Sequence, residues 1–142
     1  MKLFIFSILT LTIFTGCVKE ELLVPKKYEN LIVDKQIYQK FHILNSVYKT
    51  KNDGLIVAEV NVKNISSSEE SFTYKVDWKD IDGFDIQTIM SRWITVNVEP
   101  KRRAIISVVA PSAKAKQYII HITTTSSFDK KRKNSYQYEY QN

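Results

Sequence analysis

From Leu31 onward, large apolar side chains recur at every second position rather than every third or fourth. Phe72, Tyr74, Val76 and Trp78 alternate with Ser71, Thr73, Lys75 and Asp77, which sets four large side chains on one face of a strand and polar groups on the other. Ala58, Val60 and Val62 alternate with Glu59, Asn61 and Lys63 in the same way, and Ile94, Val96, Val98 and Tyr118, Ile120, Ile122 form two further rows. Ala104 to Val109 is a shorter, more continuous apolar run, the pattern of a central strand covered on both faces. Turn formers separate these rows: Asn52-Asp53-Gly54, Ser66-Ser67-Ser68, Asp82-Gly83, Pro100 and Pro111. Asp-Gly suits tight turns because both residues tolerate a positive φ. Helix signals are nearly absent, with Ser112 to Lys116 long enough for a single turn. About seven short strands with turns between them predict an all-β sandwich over residues 31–125. Trp78 shares the face of Phe72 and Val76 and is expected in its core. Trp93 is expected there too, although Ile94, Val96 and Val98 point the other way.

The chain before these strands has a different character. Lys2 precedes the apolar run Leu3 to Phe14, which is shorter than the roughly 20 residues of a membrane-spanning helix. It fits the apolar core of a secretory signal. Phe14-Thr15-Gly16-Cys17 then resembles the lipobox of bacterial lipoproteins. That resemblance implies removal of residues 1–16 and acylation of Cys17 with palmitate-type chains. Each buried methylene adds about 0.8 kcal/mol of membrane affinity, so several chains make a lasting anchor. Val18, where Asp would retain the protein at the inner membrane, resembles the outer-membrane sorting pattern of diderm bacteria. Residues 17–30 are polar, contain Pro25 and lack a period. They read as the lipidated cysteine plus a tether reaching about 40 Å when fully extended.

Composition narrows the function by exclusion. The 44% hydrophobic and 25% charged residues are globular proportions. Three glycines leave no room for a glycine-rich phosphate loop, and one cysteine with two histidines leaves none for a Cys/His zinc cluster. The formal net charge of +6 is carried mostly by lysine. Because an exported protein does not meet DNA, no nucleic-acid partner is expected.

The segment Asn61 to Ile122 resembles the YcfL-like family of small bacterial envelope lipoproteins. The matching residues are Val62-Lys63-Asn64, then Tyr74-Lys75-Val76-Asp77-Trp78-Lys79-Asp80-Ile81-Asp82-Gly83, Trp93, Val98-Glu99-Pro100, Ala110-Pro111-Ser112 and Ala115. The resemblance implies an immunoglobulin-like antiparallel sandwich without a disulfide and without catalytic residues. The chain continues past the usual last strand, as residues 126–142.

Candidate chemistry is sparse. Asp77, Asp80, Asp82 and Asp85 are dense but lack the ligand phasing of a calcium loop, and they read as turn and strand-end carboxylates. His42 and His121 fall on predicted strands without a ligand pair, so they read as structural. No metal, cofactor or catalytic set is expected. The basic clusters Lys101-Arg102-Arg103 and Lys130-Lys131-Arg132-Lys133 could meet anionic lipid headgroups or an acidic envelope polymer such as peptidoglycan, or could be solvated turns that discourage edge pairing. Tyr136, Tyr138 and Tyr140 alternate with Gln137 and Glu139. They suit an extra edge strand pairing with residues 117–125, a disordered tail, or an aromatic binding face. The reading is a noncatalytic, membrane-anchored envelope lipoprotein that faces the periplasm and binds another envelope protein. The alternative is direct binding of peptidoglycan or an anionic glycan through the basic loops.

Overall fold

The structure, a computed structural model, describes residues 27–89 and 91–129. The expected signal segment, Cys17, the cluster Lys130 to Lys133 and the tyrosines Tyr136, Tyr138 and Tyr140 lie outside the described residues. Seven strands form within them: β1 (Leu31–Val33), β2 (Phe41–Thr50), β3 (Ile56–Asn64), β4 (Glu70–Lys79), β5 (Ile94–Val98), β6 (Arg103–Val109) and β7 (Gln117–Thr124). They make two sheets, one ordered β1-β7-β4-β5 and the other β2-β3-β6. This is the β-sandwich that the period of two predicts.

The alternating rows supply its core. Ala58, Val60 and Val62 from β3, Phe72, Val76 and Trp78 from β4, and Tyr118, Ile120 and Ile122 from β7 are buried between the sheets. Burying a side chain of Val to Phe size contributes about 1.5–3 kcal/mol, so these rows dominate the stability of the domain. A short 3-10 helix (Lys35–Gln39) carries the chain from one sheet to the other and inserts Ile37, fully buried, into the core. Phe41 packs edge-on against Phe72, with ring centroids 5.3 Å apart.

Two expectations need correction. The run Ala104 to Val109 is not a central strand. β6 is the outer strand of the three-stranded sheet, and only its inward positions, such as Ile106, are covered. The run looked continuous because the outward positions Ile105 and Val109 are apolar as well, and these stand 63% and 50% exposed. Trp93 is not in the core; it lies half-exposed against His121 and Phe128.

β7 lies inside its sheet, between β1 and β4. β1 pairs with it in parallel, Leu31 opposite Ile120 and Val33 opposite Ile122, and β4 pairs with its other side. β7 is therefore an interior strand, and the chain turns helical at 125–129 instead of running on extended.

Candidate functional site

β4 shapes most of the exposed chemistry. Its even positions face the core, so its odd positions Lys75, Asp77 and Lys79 face outward from the four-stranded sheet. His121 sits directly opposite Lys75 on β7. Lys75 Nζ reaches Asp77 Oδ1 at 2.7 Å, and His121 Nε2 reaches Asp77 Oδ2 at 3.0 Å. Both carboxylate oxygens of Asp77 are thereby engaged. Lys75 and Asp77 edge a small open cleft of about 160 Å³, shared with Trp78, Asp85, Ile86, Gln87 and Ser91. A drug-sized ligand needs about 300 Å³ or more, so this cleft suits an ion or a single polar group.

Further along the same face, hydroxyls replace charges. Thr73 Oγ1 and Thr95 Oγ1 lie 3.2 Å apart, and Ser71 Oγ and Thr125 Oγ1 lie 3.0 Å apart. Thr123 donates to the Asp34 carboxylate. Thr73 and Thr123 are buried although they point away from the core. The helical turn 125–129 accounts for this, because Thr125 touches Ser71 and Thr73 while Phe128 packs against Trp93 at 5.3 Å.

The loop that follows β4 carries the strongest exposed feature. Asp80 Oδ1 accepts the backbone N–H of Asp82 at 3.0 Å and of Phe84 at 2.9 Å. The Asp80 N–H in turn donates to the Phe84 carbonyl at 3.0 Å. Gly83, at φ 88°, closes the turn in a conformation that a side chain would strain. Lys79 Nζ adds a bond to Asp85 Oδ1 at 2.6 Å and one to the Gly83 carbonyl at 3.3 Å. Its ammonium holds the Asp85 carboxyl below the usual carboxylate range, first by that hydrogen bond and then by its charge. This fixed turn holds Ile81 and Phe84 out into solvent, each 73% exposed, and Ile89 is exposed further along the loop. None of these three was a candidate at the level of sequence. The available signal was the presence of large apolar residues inside an Asp-Gly turn segment, where period two gives them no core to face.

The expected basic site looks different in three dimensions. Lys101 adopts a left-handed φ of 61° and donates its ammonium to the Ile65 carbonyl. The Arg102 Nε lies 3.9 Å from Glu99 Oε2, with both side chains exposed, an arrangement that contributes little in water. Arg103 opens β6 and lies opposite Lys63 on the outer face of the other sheet. Asn64 holds the turn from beneath. It is fully buried, and its amide donates to the carbonyls of Ser68, Val98 and Glu99 at 2.8, 2.9 and 3.1 Å, while Oδ1 accepts from Ser66 N–H at 2.8 Å. Among the described residues, no cluster of three or more His, Cys, Asp or Glu could hold a metal ion.

Residues 29–124 match the family model described as protein of unknown function (DUF1425). The chain belongs to the DUF1425 family. Two solved structures share the fold of this DUF1425 domain. The crystal structure of Campylobacter jejuni cj0090 is 18% identical and superposes with a TM-score of 0.57 over 69% of this chain and 100% of its own. A DUF1425 family member from Shewanella sp. pv-4 is 17% identical, with a TM-score of 0.51 over 58% of this chain and 75% of its own. No curated protein matches the DUF1425 chain. At these identities the two structures speak to the fold alone.

Proposed function

We propose that this DUF1425 protein is a noncatalytic, lipid-anchored envelope protein of the YcfL-like kind. Cys17 anchors it to the outer membrane facing the periplasm, and its sandwich docks onto another envelope protein. One observation carries the docking: Ile81 and Phe84 are held in solvent by a turn that Asp80 and Gly83 fix beforehand. A preset apolar pair loses little further freedom on binding, and two fully desolvated anchors of this size supply about 1.5–3 kcal/mol each. The carboxylates Asp80, Asp82 and Asp85 around the pair favour a partner pocket rimmed by basic groups over an anionic membrane surface.

The test is photo-crosslinking in cells from a probe at Phe84, compared with a probe at Lys101, with the anchor intact. A dominant protein adduct from Phe84 that disappears with Ile81→Ser supports the reading. Adducts only to lipid or glycan would overturn it.

One observation favours a second reading, the binding of peptidoglycan or an anionic glycan. Lys63 and Arg103 stand side by side on the outer face of the three-stranded sheet, which places two cations together without an ion-pair partner among the described residues. Salt-sensitive cosedimentation with purified polymer, lost in Lys63→Gln with Arg103→Gln, is its expected result. Unchanged sedimentation of that double variant excludes it.

A further inference from the structure

The free edge of β6 differs from every other strand edge in the described sandwich. β1 is three residues long and β5 is five. β2 is long, but its pairing shifts between Ile43 and Asn45, a bulge that interrupts the edge, and Lys49 stands near its end. β6 runs from Arg103 to Val109 in unbroken register with β3, with neither charge nor proline between Ala104 and Val109. None of the devices that ordinarily blunt an edge is present along it.

The backbone groups this edge offers follow from its pairing. Asn64 N–H donates to the Arg102 carbonyl, and Ala110 N–H donates to the Ile56 carbonyl, both across the β3–β6 pair. In an antiparallel pair, bonded and non-bonded positions alternate. Residues 104, 106 and 108 therefore bond to β3, and Ile105, Ser107 and Val109 turn their N–H and C=O groups away from it. The side chains of those same residues emerge on the outer face of the sheet, where Ile105 and Val109 are half or more exposed.

We propose that a second copy of this chain occupies this edge, β6 against β6, antiparallel about a two-fold axis through Ser107. The register is chosen by the side chains. With the axis at Ser107, Ile105 of each copy lies opposite Val109 of the other, so both exposed apolar groups of each edge are covered. Ser107 then meets Ser107, and Arg103 falls opposite Pro111, so no like charges oppose one another. An axis at Ile106 would set Ile105 against Ser107 and Arg103 against Val109. An axis at Ile105 would set Val109 against Lys101. Only the Ser107 register pairs apolar with apolar twice, and it uses the outward N–H and C=O of residues 105, 107 and 109 in both copies. The resulting sheet runs continuously through the two molecules. This surface is independent of whatever the β4–β5 loop binds.

Cysteine cross-linking tests the register in the full detergent-solubilised chain carrying Cys17→Ser, which removes the sole native thiol. A hydrogen-bonded antiparallel pair holds its Cα atoms about 5.5 Å apart, inside the roughly 4.4–6.8 Å span of a disulfide. Mild oxidation is expected to link Ser107→Cys into a dimer and to leave Glu59→Cys, one strand further in on the same face, as a monomer. Ser107→Pro supplies the second measurement. It removes an N–H that has no partner among the described residues, on an edge where proline is tolerated. It should keep the far-ultraviolet spectrum and melting behaviour of the parent while halving the mass in sedimentation. A monomeric parent would leave the edge to residues 130–142 or to a different protein and would overturn the proposal. Equal cross-linking at both cysteines, or a dimer that survives Ser107→Pro, would overturn it as well.

Discussion

The β4–β5 loop and the β5–β6 turn sit at opposite ends of β5 and present opposite lessons about exposed chemistry. The turn contains three consecutive cations, Lys101-Arg102-Arg103, yet the fold has already engaged two of them. Lys101 bonds the Ile65 carbonyl and Arg102 faces Glu99. The loop is acidic and contains no run of like charge, yet its rigid turn displays Ile81 and Phe84 to solvent. Charge is conspicuous in a sequence, but its availability depends on the carbonyls and carboxylates that folding brings beside it. Apolar exposure is the more informative surface signal, because keeping large side chains in water works against stability unless something covers them.

The largest effect that separates the two regions should come from Asn64→Ala. The Asn64 side chain ties three carbonyls of the β3–β4 and β5–β6 connections together in a buried place, and alanine leaves those groups short of a donor. The expected loss is about 2–4 kcal/mol in urea denaturation. The Ile81–Phe84 turn, at the far end of β5, should keep its geometry in the folded protein, so probe adducts from Phe84 should persist. A loss well under 1 kcal/mol would mean that the basic turn stands without Asn64.

A smaller effect is expected at the other end. Asp80→Ala removes an oxygen that accepts two backbone N–H groups, and Gly83→Ala forces a side chain into the left-handed region. Each should cost about 1 kcal/mol, read by thermal melting. Because both loosen a preset turn rather than remove its apolar groups, each should weaken partner capture at Phe84 without abolishing it. Capture that is unchanged by Asp80→Ala would show that rigidity of the turn has no part in binding.

Much of this was legible before the structure. The rows Ala58-Val60-Val62 and Phe72-Tyr74-Val76-Trp78 point inward as their spacing requires. The row in β3 even continues to Asn64, whose inward position is visible from its parity although its three carbonyl partners are not. β6 was misread for a physical reason: an edge strand with apolar groups on both faces looks the same in sequence as a central one. The β1–β7 pairing joins segments nearly ninety positions apart through three residues on β1, too short a pattern to register. Ile81 and Phe84 were passed over because a turn supplies no periodicity to mark which side chains point into water. Trp93 was assigned to the core from residue type, whereas its partners are His121 and Phe128 on the outside of a sheet.

The smallest expected effect compares one carboxylate from each end. Glu70 receives the Lys40 ammonium at 2.7 Å, and that hydrogen bond, opposed in part by burial, holds its carboxyl below the usual range. Asp85 is lowered in the same direction by Lys79. A group whose folded-state pKa is depressed contributes stability above its unfolded-state value and loses it as pH falls through the folded-state value. Melting temperature should therefore decline as pH drops below the ordinary carboxylate range, and neutral amide variants should flatten that decline. The two sites differ in solvent access: the Glu70 side chain is 15% exposed and the Asp85 side chain 68%. Water screens the second pair more strongly. Glu70→Gln should thus reduce the acid sensitivity of melting more than Asp85→Asn does. The reverse order would place the stronger electrostatic coupling at the loop, in the Lys79–Asp85 pair.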